Sequence, residues 1–92
     1  MNRYELLNLA SEAVRDRGAD YGTIYETHER IAVLWAALLG HEVSPEEVVM
    51  CMIAVKMARL AQTPNHLDSW VDIAGYAACG AEVLDGEQTD DS

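Results

Sequence analysis

The run from Val48 to Ala61 carries only two charges, Lys56 and Arg59, and is apolar on every side of any helix drawn through it. A segment of this kind belongs in an interior. Two cations placed there need carboxylate partners, because an unpaired charge in a low-dielectric medium is strongly disfavoured. The nearest suitable acids are Asp68 and Asp72, just past the short turn Thr63 to His66, which contains Pro64. A connection this short predicts that the flanking helices fold back as an antiparallel hairpin. Arg59 then lies level with the start of the second helix, opposite Asp68, and Lys56, one turn earlier, lies level with Asp72.

Cap signals set the remaining boundaries. Ser44, Pro45 and Glu47 supply an N-cap, a proline at the first helical position and the acid of a capping box, so a helix is expected over about 45–62. Thr23 and Glu26 repeat the capping pattern and start a helix over about 23–39, which Gly40 stops. Leu6, Leu9, Ala10, Ala13 and Val14 share one stripe of a helix over about 3–17, ended by the glycines at 18 and 22. A fourth helix over about 66–84 places Trp70, Ile73, Ala74, Ala77, Ala81 and Leu84 on one face, and Asp68, Asp72, Gly75, Cys79 and Glu82 on the other. The second face is small-sided, and Gly75, Cys79 and Gly80 mark a close helix approach within the bundle or across a dimer. Residues 85–92 are acidic without a large apolar side chain and are expected to be a disordered tail.

The fold expected is therefore all-α, a four-helix antiparallel bundle in a single domain. With the third helix apolar all round, it is expected to assemble as a homodimer or higher oligomer. A net charge of −10 with six basic residues argues against a nucleic-acid phosphate groove. No apolar stretch reaches the about 18 residues needed to span a membrane, and the N-terminus lacks a signal-peptide layout, so a cytoplasmic location is expected. Cys51 and Cys79 fall in apolar helical pattern without CxxC spacing and are expected to be reduced and buried.

The charged cluster has two readings. In the first, Lys56, Arg59, Asp68 and Asp72 form an ion-pair network that fixes the hairpin register. In the second, Asp68 and Asp72 hold a hard cation such as Mg²⁺ while Lys56 and Arg59 face phosphates. Glu26 and Glu29, at i, i+3 spacing, would add carboxylates to that site, or else form a solvated face with Glu26 engaged in capping and Arg30 four residues after it. Glu46 and Glu47 are explained by the helix start. His28 lies on the apolar stripe of the second helix with Ile24, Ile31, Leu34, Trp35 and Leu38, as a core histidine or a ligand contact. His41 is expected in an exposed loop and His66 at the mouth of the fourth helix. Tyr21 and Tyr25 form either the lip of a pocket or the packing of a helix corner. No nucleophile turn and no phosphate-binding glycine loop is present in the sequence.

Asp20 to Gly22, His28 to Trp35, Val55 to Leu60 and Asp68 to Ala77 resemble a family of short phage and prophage proteins, over about Gly18 to Glu82. That family is in turn similar to the all-α nucleotide pyrophosphohydrolases of the MazG kind and to helical domains associated with phage nucleotide modification. The resemblance implies a dimer or tetramer that hydrolyses a nucleoside triphosphate to monophosphate and pyrophosphate with Mg²⁺. Taken together with the charged cluster, it gives Asp68, Asp72 and Glu26 as candidate metal ligands and Lys56, Arg59 and Glu29 as candidate catalytic residues. The MazG pattern has Glu-Glu-x-x-Glu and, later, Glu-x-x-Asp. Here Tyr25 stands before Glu26 and the aspartates are at i, i+4, so the alternative is a non-enzymatic helical oligomer acting through protein contacts or small-anion binding.

Overall fold

The computed structural model describes residues 1–20 and 23–90, with side chains at 1–15 and 23–86. Tyr21 and Gly22, and with them one of the two tyrosines expected at a pocket lip, lie outside the described residues. The described residues form four helices: α1 (Arg3–Asp20), α2 (Ile24–Leu39), α3 (Pro45–Gln62) and α4 (Leu67–Asp90). The described residues contain no strand.

The starts of α1, α2 and α3 are each fixed by a side chain that satisfies an otherwise orphaned backbone N–H. Asn2 Oδ1 accepts the N–H of Glu5 at 2.9 Å, and Thr23 Oγ1 accepts that of Glu26 at 3.0 Å. At α3 the box is complete: Ser44 Oγ accepts the Glu47 N–H at 3.2 Å, and the Ser44 N–H donates to Glu47 Oε1 at 2.9 Å. Gly40 ends α2 with φ 81°, where its N–H reaches Ala36 O, a conformation that disfavours a side chain.

The helices run further than the cap signals suggest at two ends. α1 continues through Gly18 to Asp20. α4 continues to Asp90, so residues 85–90, expected as tail, are helical; Asp91 and Ser92 lie outside the described residues. Gly86 accounts for part of this extension. A Cβ there would sit 2.7 Å from the Tyr25 ring, so its absence lets α4 lie against the start of α2.

Register in the α3/α4 hairpin follows from two contacts. Lys56 meets Asp72, and Val49 Cγ1 lies 3.4 Å from where a Cβ on Gly80 would be. Both pairs are centred on the turn, as antiparallel helices require. α4 packs on all three other helices and is the spine of the molecule.

The interior is built from small residues. Ala10, Ala32, Val48, Val49, Cys79 and Val83 are buried, with His28 and Ser69 among them. The small-sided face of α4 is the inner one: Gly75, Cys79 and Val83 are buried while Trp70, Ala77, Ala81 and Leu84 are exposed. The expected burial of the whole 48–61 run is corrected. Only Val48 and Val49 are buried, and Met50, Cys51, Ala54, Val55, Met57, Ala58 and Ala61 are exposed, because α2 and α4 cover just one side of α3. Cys51 is thus exposed, contrary to expectation, whereas Cys79 is buried, and neither forms a disulfide. Among the described residues, no helix is long and apolar enough to cross a membrane.

Candidate functional site

Of the four charges expected to cluster, the fold brings two together. Lys56 Nζ lies 3.0 Å from Asp72 Oδ2, with side chains 15% and 28% exposed. At that burial the pair is less screened than a surface bridge, and removing one partner costs about 1–3 kcal/mol, between the surface and fully buried cases. Arg59 and Asp68 are both exposed, and no ion pair joins them. The first turn of α4 explains the difference: Ser69, fully buried, takes the inward position and shares a 2.7 Å hydrogen bond with His66 Nδ1. Asp68, one residue earlier, therefore points about 100° to the side. Trp70 Nε1 donates to Pro64 O at 3.0 Å and pins the turn from the outside.

Glu26 and Glu29 are exposed and border an open groove with Arg30, Val33 and Leu34. Among the described residues, no three His, Cys, Asp or Glu side chains gather where they could hold a metal ion. Asp68, Asp72 and Glu26 therefore do not form one oxygen-ligand set. Glu29 and Arg59 likewise stand apart from the Lys56–Asp72 pair. Glu47 stays at the N-terminus of α3, where hydrogen bonds from the Ser44 backbone and side chain hold its carboxyl below the usual 4.5.

The four helices line a partly open cavity of about 440 Å³, within the range of about 300–1,000 Å³ common for small-molecule sites. Val14 comes from α1, Ile31 and Trp35 from α2, Met52 from α3 and Val71 and Tyr76 from α4, and the wall is mostly apolar. Thr27, His28 and Asp72 add polar atoms. Asp72 is the single sequence-selected carboxylate on this wall, and it links the cavity to Lys56. His28 is only 8% exposed, and its Nδ1 donates to the Ile24 carbonyl at 2.8 Å.

The sequence placed His28 on the inward stripe but gave no sign that Trp35 and Tyr76, from different helices, share a cavity with it. Their convergence is a property of tertiary packing. Only the inward phase of His28 and Trp35 on α2 carried a signal.

The chain matches a family model described as Domain of unknown function (DUF6378) over residues 5–84, and it belongs to that family. It is 47% identical over 74 residues to the Gene 55 protein of Mycobacterium phage L5, a match covering 78% of this chain and 47% of that protein. It is 41% identical over 70 residues to the Gene 55 protein of Mycobacterium phage D29, covering 76% of this chain and 46% of the relative. The chain thus spans about half the length of these phage relatives. No solved structure matches it.

Proposed function

We propose that this member of the phage family works as a homodimeric helical module, assembling through the outer face of α3 and acting by protein contact. The observation that carries this reading is the composition of that face. At about 100° per residue, Met57, Met50, Ala61, Ala54, Ala58, Cys51 and Val55 cover a contiguous, exposed, uncharged strip on a chain of net charge −10. Met50, Ala54, Met57 and Ala61 recur at 4-3-4 spacing, a seam suited to a second helix, and the alanines allow close approach. Copies this acidic repel each other wherever carboxylates face carboxylates, and this strip lets them meet without doing so.

Area supports the same reading. The protomer exposes 6449 Å², against about 5300 Å² for a compact 10.1 kDa monomer by size scaling. The surplus is of the order of the about 800 Å² that a stable interface removes from each partner. A two-fold axis that runs the helices antiparallel sets the Glu46–Glu47 end of one α3 near the Arg59 end of the other; a parallel arrangement would oppose the glutamates. Cys51, exposed on this strip, reports on the contact. Its alkylation rate is expected to fall as protein concentration rises, and in Ala54→Glu it is expected to stay fast at every concentration. A wild-type rate independent of concentration overturns the proposal.

A second reading, that of the MazG-like resemblance, is favoured by one observation: Asp72 both lines the cavity and holds Lys56. On this reading the pair serves hydrolysis of a nucleoside triphosphate. It expects pyrophosphate release from at least one (d)NTP with Mg²⁺, abolished in Asp72→Ala without loss of fold. Absence of turnover across a full nucleotide panel removes it.

A further inference from the structure

We infer that the central cavity is a binding site for a neutral, planar, amino-substituted heteroaromatic ring, held by hydrogen bonds to His28 Nε2 and Asp72 Oδ1. This inference stands independently of the dimer. His28 is more than nine-tenths buried and lines the cavity. Its Nδ1 hydrogen is committed to the Ile24 carbonyl, so the neutral ring carries an acceptor at Nε2. Nε2 has no partner among the described residues and is not sealed off. An acceptor open to the cavity takes its hydrogen from whatever fills that space, and a ligand N–H can supply it.

Asp72 adds a second acceptor on the same wall. Its Oδ2 holds Lys56, which leaves Oδ1 to receive a donor. Because Lys56 already neutralises that carboxylate, the site favours a neutral donor over a cationic amine. Anions are disfavoured, since neither Lys56 nor Arg59 lines the cavity and its charged wall is a carboxylate. Trp35 and Tyr76 supply aromatic surface, and Ile31 and Met52 supply apolar surface, which suits a flat ring. Two acceptors in a mostly apolar, aromatic-walled space favour a ring with two N–H donors.

The test uses the full chain and three probes of similar size: adenine with two donor groups, purine with one, and benzofuran with none. Titration calorimetry is expected to rank them adenine, purine, benzofuran, with about tenfold between the first and last. His28→Leu and Asp72→Asn are each expected to weaken adenine about tenfold while leaving benzofuran unchanged. The histidine ¹⁵N spectrum of wild-type protein reads the same contact without substitution, because Nε2 of His28 shifts on accepting a hydrogen bond from adenine. Equal binding of benzofuran and adenine would show a void without polar selection. That outcome, no binding of any probe, or an unmoved Nε2 resonance overturns the inference.

Discussion

The two sides of α3 share one composition and have opposite fates. The inner side buries Val48 and Val49, meets Gly80 through Val49 and locks to Asp72 through Lys56. The outer side, equally apolar, leaves Met50 and Met57 more than half exposed. What distinguishes them is the neighbour that folding supplies within the protomer, since apolar area contributes to stability only when something covers it. One helix thus serves the hairpin with one face and presents a surface for assembly with the other.

Substitutions that treat the two sides differently give the sharpest check on this contrast. Val48→Ala removes methyl groups from a fully buried position and is expected to cost about 2–3 kcal/mol in denaturant unfolding. Met50→Ala on the outer side is expected to change protomer stability by under about 0.5 kcal/mol. Equal losses would erase the distinction between the faces.

The aspartates of α4 divide likewise. Asp72→Ala strands Lys56 at 15% exposure and is expected to cost about 1–3 kcal/mol, whereas Asp68→Ala, at an exposed position, should fall within about 0.5 kcal/mol of wild type. Comparable effects at both aspartates would mean that the hairpin uses all four charges as one network.

Helix starts contribute less. Ser44→Ala removes the cap of α3 and is expected to cost about 1 kcal/mol, read as a shift in the urea midpoint. The smallest effect is a pH dependence. Because the folded state holds the Glu47 carboxyl below 4.5, its stabilisation is present above that value and fades as pH falls through the lowered one. The difference in melting temperature between wild type and Glu47→Gln should therefore shrink from neutral pH to about pH 3; a difference that grows on acidification would reverse the sign.

The starts of α2 and α3 were readable because Thr and Ser caps act locally, within three residues of the N–H they satisfy. The Lys56–Asp72 pair was readable because a short turn fixes hairpin register. The inward phase of α3 was not, since a helix apolar all round has no periodicity to orient it. On α4 the small strip marked the packing face, since close approach to three helices rewards Gly75 and Cys79 over Trp70 and Leu84. Arg59 and Asp68 separate because Ser69 occupies the inward position, a competition that spacing does not reveal. The end of α1 was placed short because glycine lowers helix propensity without forbidding a helix, and that of α4 because an acidic stretch without large apolar residues carries no core signal, although Gly86 lets it pack against Tyr25. The cavity needs all four helices and has no linear signature.

Light scattering on wild type and Ala54→Glu, run side by side at matched concentrations, tests the role of the outer face most directly. A mass of twice 10.1 kDa for the wild-type chain and a single protomer mass for the variant is the result expected. A wild-type chain that stays at one protomer mass through high micromolar concentration would contradict it.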